Sequence, residues 1–199
     1  MMIETYVAQL LFAVDKMEAT TRMGRAYRDP FATFFRFLKD THEGGRKVII
    51  IGNGGSAGIA SHTAIDFCKA GGVRAMTMTD GAALTCLSND LGYEEVYAEQ
   101  LRYLGRYRDL LIAISSSGES ENILRAVAAA DKFNMLVVTF SGFVAGNPLR
   151  RLGELNFYVP ASHYGFVELS HQIFLHAIVD ALAESKNANL AESRPQLSA

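Results

Sequence analysis

The chain has 199 residues, a net charge of -2, and 49% hydrophobic against 20% charged residues, the balance of an ordinary single-domain globular protein. That composition excludes a disordered chain, which lacks the apolar surface to offset the entropy of folding. The near-neutral charge argues against a general nucleic-acid or acidic-membrane binder, and the two cysteines, Cys68 and Cys86, are too few for a disulfide framework and read as small buried side chains.

The first forty residues predict helices. Ile3, Val7, Leu10, Val14 and Met17 recur at spacings of four and three, forming one apolar stripe. The stripe belongs either to the core of this domain or to a contact with another subunit. No basic n-region or small-residue cleavage site precedes it, and no apolar run approaches the ~18 residues of a membrane span, so a cytoplasmic protein is expected. Asp29-Pro30 opens a second helix carrying Phe31, Phe34, Phe35 and Leu38, and Gly44-Gly45 ends it, with His42 on its solvent side. From Lys47 onward short apolar runs alternate with amphipathic stretches. Strands are predicted over 48–52, 74–78, 109–115, 135–140 and 154–159, and helices over 57–70, 81–105 in two pieces, 120–133 and 164–185. This alternation implies an α/β fold with a parallel sheet covered on both faces. Residues 1–185 then form one domain with an N-terminal helical extension to about residue 44, and the polar residues 186–199 form a mobile tail.

Two strand-to-helix junctions carry chemistry. In Gly52-Asn53-Gly54-Gly55-Ser56 the glycines let the backbone approach a ligand, and the following helix start offers N–H groups to an anion. The spacing is neither that of a dinucleotide fingerprint nor that of a Walker loop. In Ser115-Ser116-Ser117-Gly118-Glu119-Ser120 four hydroxyls stand between a buried strand and a helix start. Simple N-capping by Ser117 or Ser120 needs one of them; four favour a phosphate monoester. Farther along, His62 and Asp66 share one helix face, while Glu168 and His176 lie eight apart on the last helix with His171 between them. Such groups could hold a divalent metal or divide into base and acid, and solvated helix faces often carry the same pairs by chance. His163, just before that helix, suits a cap or a contact at a pocket rim.

The order Gly52-Asn53-Gly54-Gly55-Ser56, His62, Asn89-Asp90, Ser115-Ser116-Ser117-Gly118 and Ser120 resembles the sugar isomerase (SIS) domain, and within it the phosphoheptose isomerases. The resemblance covers nearly the whole chain. It implies a three-layer flavodoxin-like parallel sheet, assembled as a homotetramer with N-terminal helices packed in the oligomer and active sites at subunit interfaces. By position it implies that Ser115, Ser116, Ser117 and Ser120 hold the phosphate of a sugar phosphate. Asn53, Gly54, Gly55, Ser56, Asn89, Asp90 and Glu168 would line the sugar site. Asp66 and His176 would be catalytic, and His62, Asp66, Glu168 and His176 would be ligands to Zn²⁺. Two positions depart from the family: Asp66 stands where it has glutamate, and Glu168 where it has glutamine. A shortened arm bears on geometry, and a shift of about 1 Å can cost on the order of 10²-fold in rate.

The reaction so implied is aldose–ketose isomerisation of sedoheptulose 7-phosphate through an enediol, with Asp66 as carbon base and His176 as acid. The alternatives are isomerisation of another sugar phosphate, or a non-catalytic sugar-phosphate sensor or protein-binding module of the kind that associates with a bacterial replication initiator. Neither nucleic acid nor membrane is expected as a partner.

Overall fold

The computed structural model describes residues 2–192, with side chains to residue 188. Five parallel strands, β2 (Val48–Gly52), β3 (Ala75–Thr77), β4 (Leu110–Ile114), β5 (Leu136–Ser141) and β6 (Leu155–Tyr158), lie in the order β3-β2-β4-β5-β6. That is the flavodoxin-like order. Each strand appears within a residue of its predicted place, because buried parallel strands read as continuous apolar runs.

Side chains alternate across the sheet, and both faces are covered. Val48, Ile50, Leu110, Ile112 and Ile114 face one way, against α2 (Pro30–Glu43), α3 (Gly55–Lys69) and α7 (Tyr164–Glu192). Ile49, Ile51, Leu111 and Ala113 face the other, against α5 (Val96–Leu104) and α6 (Glu121–Lys132). All nine are fully buried. Phe34 of α2 meets Phe140, Phe157 and Phe174 with ring centroids 5.9–6.2 Å apart, which ties helix to sheet.

Five features differ from what the sequence predicts. The N-terminal region is not wholly helical: after α1 (Ile3–Asp15), Glu18–Thr20 forms a short edge strand, β1, antiparallel to β6. Three residues are too few to show a period-two pattern. The stripe on α1 is split, with Tyr6, Leu10, Ala13 and Met17 packing on Val159, Phe166 and Val167 while Ile3, Val7, Leu11 and Phe12 stay exposed. The last helix continues to Glu192, past the expected end at residue 185, so residues 186–192 of the expected tail are helical; residues 193–199 lie outside the described part. Within it, Tyr164–Ala188 is apolar and long enough to span a bilayer by composition, with mean hydropathy 1.2 in its most apolar stretch, whereas no such run was expected. Its Val167, Leu175, Ile178, Val179 and Leu182 are buried in the domain, which accounts for that apolarity. Cys68 and Cys86, expected to be buried, are exposed; the Cys68 sulfur exchanges hydrogen bonds with the backbone of Ala75.

Candidate active site

The connections leave adjacent strands β2 and β4 in opposite directions, toward β3 and β5, so their carboxyl ends frame the switch point of the sheet. Open α/β sheets form ligand crevices there. Both sequence motifs lie at this point, in the β2–α3 and β4–α6 turns.

The glycine turn needs its glycines. Gly54 has φ 52, and a side chain on Gly52 would collide with the backbone of Ser56. The buried Tyr97 hydroxyl donates to the Gly52 carbonyl at 2.5 Å, and burial pushes that phenol up to about 12. Asn53 and Asn122 exchange amide hydrogen bonds of 2.8 and 2.9 Å across the two turns, and Tyr93 donates to Asn53 at 2.9 Å.

The serine turn is held differently. Gly118 has φ 69, and the buried Asn147 amide occupies the space its side chain would need. Ser115 Oγ pairs with Ser120 Oγ at 3.1 Å, and Ser117 Oγ accepts from Glu119 N at 3.2 Å. Ser120 is the N-cap of α6 yet makes no side-chain capping bond, and the buried Ser116 hydroxyl has no partner. Capping therefore does not account for the hydroxyls. An unpartnered buried hydroxyl is costly unless something else engages it. Ser115, Ser116, Ser117 and Ser120 share one cleft, of about 270 Å³, with Asn53, Gly54, Gly55, Ser56, Tyr164 and Glu168.

Helices α3 and α7 run side by side from this cleft. At the cleft end the Glu168 carboxyl packs on Gly55, in the space a side chain there would fill, and burial raises its pKa above the usual carboxylate range. Two turns along, His62 Nε2 meets Asp66 Oδ2 at 2.9 Å and His176 Nδ1 approaches the same oxygen at 3.9 Å. The two imidazole rings are 5.1 Å apart and edge-on. The donor atoms of His62, Asp66 and His176 all lie within 4.8 Å of one another. Two imidazoles and a carboxylate form a donor set that fits Zn²⁺ with a coordination position left open.

The expected residues are thus partly gathered and partly separated. Glu168 does not join the His62–Asp66–His176 group; it is about 12 Å of helix rise from His176 and stands in the cleft. Asn89 lines a shallow groove on α4 (Gly81–Leu91) with Tyr93, and Asp90 is bonded to Asn89 and Cys86, so neither lines the serine cleft. His171 faces away into the core: its Nε2 lies 3.2 Å from the Ser141 carbonyl, and burial pushes its pKa down to about 4. His163 packs on Phe166 and does not line the cleft. Asn122, Tyr93 and Tyr164 escaped the sequence reading. Asn122 lies two residues past the serine turn, a signal that was available; the two tyrosines come close only through the fold.

A cleft of hydroxyls and helix starts at a switch point, continued by a His/Asp cluster, defines an α/β protein built to hold an anionic ligand beside acid–base groups. Comparison with known proteins agrees. Residues 14–142 match the SIS domain family. The phosphoheptose isomerase of Campylobacter concisus is 37% identical over 158 residues, 75% of this chain and 82% of the relative. Among solved structures, phosphoheptose isomerase GmhA from Neisseria gonorrhoeae superposes with a TM-score of 0.79 at 28% identity, covering 90% of this chain and 97% of that one. A phosphoheptose isomerase from Francisella tularensis gives 0.80 at 26% identity, covering 92% and 96%. The chain belongs to the SIS domain family and, within it, to the phosphoheptose isomerases, a family of aldose–ketose isomerases.

Proposed function

We propose that the protein interconverts sedoheptulose 7-phosphate and a heptose 7-phosphate, with the phosphate in the serine cleft and the reacting carbons toward the His62–Asp66–His176 cluster. The observation that carries this reading is the separation of the two. From Gly55 to His62 the helix rises roughly 10 Å, a span that suits a long sugar with phosphate at one end and carbonyl at the other. Asp66 takes a proton from C1 of the ketose while His176 protonates the C2 oxygen, giving an enediol. Return of the carbon proton to C2, with the C1 hydroxyl giving its own to His176, yields the aldose. Both imidazoles face Oδ2 of Asp66, which leaves Oδ1 for the carbon proton. Zn²⁺ held by His62, Asp66 and His176 would supply a Lewis acid for the carbonyl and enediol oxygens. Glu168, whose pKa burial raises, faces the sugar from the end of the serine cleft.

The cluster is open on one side. The His62 and His176 side chains are 56% and 44% exposed, beside exposed Ile65 and Ile173. Together with the exposed apolar face of α1, this supports a homo-oligomer, a tetramer as the family resemblance implies, in which a neighbouring subunit closes the site. An isomerase assay with sedoheptulose 7-phosphate, fructose 6-phosphate and ribulose 5-phosphate, run with EDTA and with added zinc, tests the proposal. Metal-dependent turnover of the seven-carbon sugar supports it. Turnover of a shorter sugar alone replaces the substrate. Binding without turnover of any sugar favours the sensor or scaffold reading.

A further inference from the structure

The opposite, amino-terminal end of the same strands carries a second cleft, of about 410 Å³, formed by the segments that lead into β2, β3 and β4. Its rim is cationic: Arg46, Lys47, Arg74 and Arg106 line it, and Arg108 stands next to it. The carboxylate there, buried Asp109, is already engaged. It accepts from the backbone N–H of Lys47 at 3.0 Å and of Arg106 at 2.9 Å, and it pairs with the Lys47 ammonium. Among the described residues, Arg46, Arg74, Arg106 and Arg108 have no carboxylate partner, as is also true of Arg25, Arg28, Arg36 and Arg151, whereas Arg150 has one and Arg22, Arg102 and Arg125 have two each. Arg74 is oriented by a hydrogen bond to the Gly45 carbonyl at 2.9 Å. Arg108 adopts φ 60, a left-handed conformation that glycine would take more easily, in the turn that displays Arg106 and Tyr107.

Aromatic and aliphatic side chains line the rest of the cleft. Tyr103, 67% exposed, stands with Leu104 and Met76, while the Tyr107 ring is flanked by the guanidiniums of Arg46 and Arg108 at 6.0 and 5.6 Å. Guanidinium forks match phosphate oxygens, and an open aromatic face stacks on a nucleobase. A concave site of this volume admits one nucleotide and offers no continuous track for a strand. We propose that this cleft binds a nucleoside polyphosphate, its base on Tyr103 and its phosphates bridged by Arg46, Arg74 and Arg106. The overall charge of -2 conceals such a site, in which Asp109 is neutralised by Lys47 and Glu99 stands at the Tyr103 hydroxyl.

Calorimetric titration of the full-length protein in EDTA with ADP, pyrophosphate and a short oligothymidylate tests this. The expected result is saturable ADP binding, one per chain, weakened about tenfold or more by Arg46→Gln, by Arg106→Gln and by the exposed-site change Tyr103→Ala. Melting temperature and sugar-phosphate binding should stay unchanged in each variant. Ser116→Ala with Ser120→Ala should leave ADP binding intact, which separates this cleft from the serine cleft. Absence of ADP binding, pyrophosphate binding as tight as ADP, tighter binding of the oligonucleotide, or loss of ADP binding in the serine variant would each overturn the proposal.

Discussion

The serine cleft and the His62–Asp66–His176 cluster lie two helical turns apart on α3 and α7, and they are built by opposite means. The cleft is made by backbone: two strand-to-helix turns, glycines at φ 52 and 69, and hydroxyls within six consecutive residues. The cluster is made by side chains from helices more than a hundred residues apart in sequence, partly exposed and dependent on how α7 lies against α3. On the proposed function, ligand holding would rest mainly on the two turns, and proton chemistry on how α7 packs against α3. Substitutions should separate the two functions cleanly.

The largest effect is expected at the cluster. His62→Ala, Asp66→Asn and His176→Gln should each lower kcat by on the order of 10²-fold or more, the usual contribution of a positioned acid or base, as steady-state assays would show. A variant with near-normal kcat would remove that residue from the scheme.

Next is the backbone of the cleft. Gly118→Ala places a methyl group against Asn147 in a left-handed conformation, and such strain costs on the order of 1–3 kcal/mol. A lower melting temperature together with a raised KM is expected; an unchanged KM would mean that the turn does not position the ligand.

A smaller and opposite pair of effects is expected at Ser116. Its buried hydroxyl has no partner in the free protein, so Ser116→Ala should hold or raise the melting temperature while weakening sugar-phosphate binding about tenfold. Loss of stability together with unaltered binding would assign the hydroxyl to the fold.

The last prediction concerns the histidine between the two regions. Burial lowers the His171 pKa to about 4, below its ordinary 6.5, so the unfolded chain takes up the proton first as pH falls. Stability is therefore full above about pH 6.5 and is lost as pH drops toward 4, by up to roughly 3 kcal/mol. Urea melts across that window should show a flatter profile for His171→Gln, with turnover at neutral pH retained. A parallel loss of stability in both proteins would place the acid sensitivity elsewhere.

This contrast also explains what the sequence disclosed. Strands β2 and β4 and both turns were legible because their signals are local: continuous apolar runs ending in glycine or serine. His62 and Asp66 were legible as a pair by their helical spacing. Glu168 was grouped with His176 because both lie on α7, but eight residues of helix carry it to the cleft end, where Gly55 leaves room for its carboxyl. The resemblance implies Asn89 and Asp90 at the sugar site, whereas α4 places Asn89 in a separate groove and Asp90 against Cys86 and Asn89. The reciprocal Asn53–Asn122 amides, and the Tyr93 hydroxyl on them, join segments 69 and 40 residues apart, and no periodicity reports such pairs. The split stripe of α1 has the same cause: spacing alone does not say which edge of a broad apolar face meets the domain.

The most direct test of the division of labour is the affinity of sedoheptulose 7-phosphate for two single variants, Asp66→Asn and Ser120→Ala, measured by calorimetry beside the unaltered protein. The account predicts that Asp66→Asn binds within about threefold of the unaltered protein while turning over almost nothing, and that Ser120→Ala binds about tenfold more weakly. Weak binding by Asp66→Asn with normal binding by Ser120→Ala would contradict it, placing the phosphate at the cluster and leaving the serine turn without its ligand.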